Sequence, residues 1–104
     1  MKSGLKIYKI TLLRRAENEL DLISEYYENI SSGLGTKFYI QATEYIDSLA
    51  YIPYFENKYS KIRILPLKKF PYSIHFTINE ELAIVEVHAI VCDFQNPDST
   101  RIKL

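Results

Sequence analysis

The chain has little of several things, and each shortage excludes a class of protein. Cys92 is the one cysteine among 104 residues, so no internal disulfide forms and the fold does not depend on an oxidising compartment. Net charge is absent: thirteen basic and thirteen acidic side chains cancel, leaving no global field to steer the protein toward nucleic acid or a membrane. Apolar runs extend over only a few residues, which excludes a transmembrane span. The start, Met1 to Ile10, is punctuated by Lys2, Lys6 and Lys9 and lacks the apolar core of a signal peptide. Repeats, linkers, a glycine-rich phosphate loop and a Ser-His-Asp arrangement are all lacking. Apolar residues make up 47% of the chain and charged residues 25%, the balance of a packed globular domain and not of a disordered one. The length leaves room for a single two-layer domain over residues 1–104, and the expectation is a small cytoplasmic protein.

Periodicity orders the elements. Lys6 to Leu13 is a short β-rich run. From Arg14 onward, Ala16, Leu20, Ile23, Tyr27 and Ile30 recur at spacings of four, three, four and three, one stripe of an α-helix. Ser31-Ser32-Gly33 stops it, with Gly33 suited to a left-handed cap. A second stripe, Leu34, Phe38, Ala42, Tyr45, Leu49 and Ile52, ends at Pro53. So short a break makes an antiparallel helical hairpin over 14–31 and 34–52. Three strands follow: 61–65, 72–78 and 83–91. The predicted fold is α+β, a β-α-α-β-β-β two-layer sandwich with the helical hairpin packed on one face of a mainly antiparallel sheet.

A register follows if apolar residues are to face apolar residues across the last hairpin. With Asn79 and Leu82 bracketing the turn, Ile78 faces Ala83, Phe76 faces Val85 and Ile74 faces Val87. The helices then cover Ile62, Ile74, Phe76, Val85 and Val87. The opposite face carries Arg63, Ser73, His75, Thr77, Glu86 and His88, with His75 facing Glu86 and Ser73 facing His88. Charge is segregated too. Residues 17–47 hold seven acids and one lysine, whereas 58–69 hold Lys58, Lys61, Arg63, Lys68 and Lys69 with no acid. That basic stretch is a local patch for an anionic partner, the plainer alternative being a solvated face.

The ordered set of segments resembles the RelE/ParE superfamily of bacterial type II toxins. It runs through Ala16 with Glu19-Leu20-Asp21-Leu22-Ile23, Tyr26-Tyr27-Glu28, Gly33-Leu34-Gly35 with Phe38, and Ile46, Leu49 and Pro53. It continues through Tyr59, Ile62-Arg63, the segment Phe70 to Phe76, Val85 to Val91 and Asn96-Pro97. The resemblance implies this same fold and a growth-inhibiting toxin neutralised by a cognate antitoxin. ParE-like members inhibit DNA gyrase, and RelE-like members cut mRNA on the ribosome. Cys92 and Gln95 stand where many relatives carry a histidine and an arginine, and no aromatic follows Pro97. Those departures weigh against the nuclease and place the chain on the ParE side, alongside the Gly-Leu-Gly and Phe-Pro-Tyr segments.

If the chain is a nuclease, its catalytic set is Arg63, His75 and Glu86, combining general acid–base chemistry with phosphate recognition. The plainer alternative for His75 and Glu86 is a cross-strand polar pair. Candidate binding residues are Lys61, Arg63, Lys68, Lys69 and His88. Tyr26, Tyr27, Tyr51, Tyr54 and Phe55 form a candidate aromatic docking patch, with core packing as the alternative. No cofactor is implied; His75 and His88 lack metal-motif spacing, and Cys92 has nothing nearby to activate it. The antitoxin is expected to bring an acidic amphipathic tail against Lys58 to Lys69, with Ile84 and Ile90 as exposed apolar area.

Overall fold

The computed structural model describes residues 6–51, 53, 57–59 and 61–94. Strand β1 (Lys9–Leu12) leads into helices α1 (Arg14–Ile30) and α2 (Leu34–Ser48). Strands β2 (Asn57–Tyr59), β3 (Ile62–Pro66), β4 (Tyr72–Asn79) and β5 (Ile84–Cys92) complete the sheet. The order across it is β1-β5-β4-β3-β2, with β1 parallel to β5 and every other pair antiparallel. The predicted α+β sandwich holds, enlarged by the three-residue strand β2 at one edge. No helix among the described residues is long and apolar enough to cross a membrane.

The α1 stripe buries Ala16 and Leu20, and α2 buries Phe38, Ala42 and Ile46, against Ile74, Phe76, Val85, Val87 and Ile90 of the sheet. Helix α2 stops at Ser48, four residues before the expected end. Its last turn tightens into bonds from the Leu49, Ala50 and Tyr51 N–H groups to carbonyls three residues back, and the Ala50 carbonyl accepts the Tyr8 N–H instead of extending the helix. The strand start has captured the helix end.

Between the helices, Gly33 sits at φ +87° as the left-handed residue of the turn. One carboxylate then ties the corner: Glu28 Oε2 accepts the Gly33 N–H at 2.9 Å and Oε1 accepts the Gly35 N–H at 3.0 Å. Both donors are orphans at a helix N-terminus, where a negative charge is also favoured. Gly35 has no room for a side chain. A Cβ there would lie 2.3 Å from the Ser24 carbonyl oxygen, on the backbone of α1.

The register differs from the expectation in two ways. The β4–β5 connection has four residues, Glu80 to Ala83, so Asn79 pairs with Ile84, Ile78 with Val85 and Phe76 with Val87. Asn79 Oδ1 accepts the Leu82 N–H, and Ala83 takes a left-handed φ of 54° to close this wider turn. A slip of two residues leaves the faces unchanged. The second difference does not. Phe76 pairs with Val87 but His75 pairs with Ala89, so His88 is the extra residue of a β-bulge. Beyond it, Ile90 joins the core, while Ala89 and Val91 turn to the other face beside His75 and Ser73.

Strand β3 is inverted relative to the expectation. Arg63 pairs with Phe76 and Leu65 with Ile74, which puts Arg63 on the helix-facing side and Ile64, opposite His75, on the other. The alternation is as predicted, but Leu65, not Ile62, is the member buried in the main core; Ile62 is fully buried outside it. The hairpin corner gives a direct check. Gly35→Ala is expected to lower unfolding free energy in urea by about 1–3 kcal/mol through the clash with α1. Gly33→Ala should cost about 1 kcal/mol, from backbone conformation alone.

Candidate functional site

The sheet face away from the helices carries the polar groups, but not in the pairs expected. His75 lies opposite Ala89, and Glu86 opposite Thr77, so the proposed His75–Glu86 pair is not formed, nor is the facing of Ser73 and His88. Arg63 is half-buried and lies on the other side of the sheet from His75. The three residues of the nuclease set are therefore not brought to one point. The wider turn is the physical reason for the histidine mismatch: its two-residue slip moves Glu86 from His75 to Thr77, and the bulge then puts Ala89 in place of His88 opposite His75.

His75 is buried, 6% exposed. Burial and the Arg15 guanidinium push its imidazole down to about 4, against the opposing pull of Asp93. It is neutral at physiological pH. His88 is half-buried and also lowered, by burial first, with Glu86 opposing and Arg15 adding to the shift. Its Nε2 shares a 2.8 Å hydrogen bond with the Thr77 hydroxyl. Lys61, Thr77, Glu86 and His88 line one open depression of about 430 Å³, together with the Asn79–Glu81 turn. Of the sequence candidates, Lys61, Glu86 and His88 thus converge, while His75 and Arg63 do not line it. Among the described residues no group of three His, Cys, Asp or Glu side chains is placed to hold a metal ion.

Three polar residues at this edge were not singled out from the sequence. Glu19 Oε1 accepts the Ile90 N–H at 2.9 Å, and Arg15 holds the other oxygen of Glu19 at 3.2 Å. Asp93 Oδ1 accepts the Ser73 hydroxyl at 2.6 Å. Arg15 reaches Glu19 within one helical turn, but Glu19 and Asp93 act across long sequence separations, and only the run of acids in α1 hinted that one could serve the sheet. Lys68 and Lys69 are exposed on the β3–β4 connection. Ile90 is 2% exposed, so the expected exposed pair Ile84 and Ile90 does not exist; the bulge has taken Ile90 inward. In the aromatic set, Tyr27 packs on Phe38, Phe70 and Tyr72, whereas Tyr26 and Tyr51 are exposed. Tyr54, Phe55, Gln95 and Asn96-Pro97 lie outside the described residues. Exposed apolar area is instead found on α1, at Leu22, Tyr26 and Ile30.

The lowered histidines make stability depend on pH. Below its ordinary value of 6.5 the unfolded imidazole binds a proton that folded His75 refuses down to about 4. Stability is therefore complete above that window and falls as pH drops through it, by up to roughly 3 kcal/mol for His75. Between about pH 6.5 and 5, where most carboxylates remain ionised, the urea midpoint should fall with acid, and His75→Gln should flatten that slope. A slope unchanged by the substitution would contradict the assignment to His75.

No protein-family model matches the sequence, and no curated protein is similar to it. Solved structures do match. One chain of a chromosomal ParDE TA system from P. aeruginosa superposes with a TM-score of 0.74 and 18% identity, covering 84% of this chain and 97% of that one. A chain of the archaeal RelE–RelB complex from Pyrococcus horikoshii OT3 superposes with a TM-score of 0.57 and 10% identity, covering 86% of this chain and 99% of that one. At these identities the likeness is one of architecture, and with the helical hairpin and mixed sheet described above it gives the chain the RelE/ParE fold.

Proposed function

We propose that this chain is the toxin of a toxin–antitoxin pair, held inactive by a cognate antitoxin, and that it acts by binding a protein target. DNA gyrase is the target that the ParE-like resemblance implies. The observation that carries the reading is the match to a chain of the ParDE system over nearly that chain's whole length. The state of the sheet face supports the protein-binding form of it. A general acid must be reachable and protonated near neutral pH. His75 is buried and titrates at about 4, and Arg63 sits across the sheet from it.

One observation favours a second reading, a ribosome-dependent mRNA endonuclease. Lys61, Glu86 and the Thr77-bound imidazole of His88 line the same open depression, a set able to position a phosphodiester and move a proton. A third reading is a chain that binds its antitoxin and has no further activity.

Inducible expression in a bacterial host separates the three. The expected result is growth arrest with gyrase-linked DNA breaks and intact transcripts, persisting in the His88→Ala and His75→Ala variants. Cleaved transcripts that become intact with His88→Ala or Arg63→Ala would move the assignment to the nuclease. Undisturbed growth under full expression would leave the binding module.

A further inference from the structure

The α2 surface holds a groove that the sheet-face site does not use. Its floor is Leu34, Ile40 and Phe70, and its volume is about 540 Å³. Ile40 is 50% exposed, so the groove presents apolar area to solvent. Phe70 is fixed from behind, with its ring 5.2 Å from that of fully buried Phe38 and 5.0 Å from that of Tyr27. Gln41 locks the two walls together, its Oε1 accepting the Lys69 N–H at 3.2 Å. A ligand entering here meets a preformed surface and need not order it, which lowers the cost of binding.

Charge identifies the occupant. Residues 17–47 contain seven acids and a single cation, Lys37. That cation lines the groove, opposite Lys69 of the β3–β4 connection, with Glu44 as the one acid in the lining. Lys68 is exposed beside Lys69. Beyond Arg14 and Arg15 at the start of α1, an otherwise acidic helical layer thus carries an apolar slot with ammonium groups on both walls. The α2 wall is built at helical spacing, with Leu34, Lys37, Gln41 and Glu44 in one row, and such ridges accept the ridges of another helix. Leu34 to Glu44 spans about 15 Å, or about three turns of a partner.

We propose that this groove docks an amphipathic helix of another protein, whose apolar residues seat on Ile40 and Phe70 and whose flanking carboxylates meet Lys37 and Lys69. On the toxin reading above, that protein is the antitoxin. The expected anionic contact at Lys69 is retained, but its apolar half moves from β5 to α2.

The test uses the full chain and a fluorescent amphipathic peptide with leucines at helical spacing and glutamate elsewhere, beside a twin carrying lysine for every glutamate. Anisotropy should show the acidic peptide binding and the basic twin failing to bind. Lys37→Glu with Lys69→Glu should weaken the acidic peptide on the order of tenfold or more, as should Ile40→Asp. All three positions are exposed, and unchanged melting curves would establish that the variants fold. Hydrogen exchange on the unaltered protein should show added protection within 34–44 and 67–70. Equal binding of the two peptides, or an affinity indifferent to both variants, overturns the proposal. Self-association of the free chain that Ile40→Asp abolishes overturns it as well, since a second copy would then be the occupant. Growth arrest by the unaltered chain is measured separately, so a harmless chain that still binds the acidic peptide sinks the toxin reading and leaves the groove standing.

Discussion

The bulge at His88 is the constraint on which the sheet depends. β4 and β5 form the centre of the fold, and inserting one residue into β5 reverses which side chains enter the core. Before the bulge, Val85 and Val87 pack under the helices; after it, Ile90 does, while Ala89 and Val91 turn to the other face opposite His75 and Ser73. The same insertion turns the Ile90 N–H toward Glu19, and α1 can lie along β5 because that donor finds a carboxylate. A strand without the bulge would leave Ile90 on the polar face and offer Glu19 a different backbone group.

Two acids of the α1 run are internal ties. Glu19 satisfies an amide of β5, and Glu28 satisfies two amides at the start of α2. Each bond is charge-assisted, and each pairs a backbone donor that would otherwise be stranded near a helix end or strand edge. The acidic character of the hairpin therefore comes partly from holding the layers together. Against that background Lys37 stands out as the one cation of α2, placed in the lining of the apolar groove.

The helices and the fold class were legible because they rest on local signals. The α1 stripe, Gly33 at the turn and the apolar alternation in β4 each act within a few residues. Register was not legible to the same depth. The four-residue turn at Glu80 to Ala83 depends on Ala83 adopting a left-handed backbone, which alanine does rarely and no sequence rule anticipates. The bulge depends on packing on both sides of β5 at once. Alternation in β3 was equally visible, yet with Ile62, Ile64 and Leu65 all apolar it could not say which parity faces the helices. The candidate site inherited both uncertainties: Lys61, Glu86 and His88 came together, while Arg63 and His75 were assigned to a shared surface that the register does not provide.

The parallel pairing of β1 with β5 has a consequence for how the molecule assembles. The helical hairpin and the β3–β4 and β4–β5 pairs join neighbours in the chain and close short loops, whereas Lys9 meets Ile84 across most of the sequence. Closing so long a loop is the slow, entropically costly step of such a topology. During synthesis the amino-terminal strand must wait, its edge unpaired, until β5 has left the ribosome. Tyr8 waits with it: this buried ring gains its bond to Glu80 only when the β4–β5 turn arrives. The sheet is therefore completed only once β5 has been made, and a truncated chain lacking β5 never forms the surface on which any activity would depend.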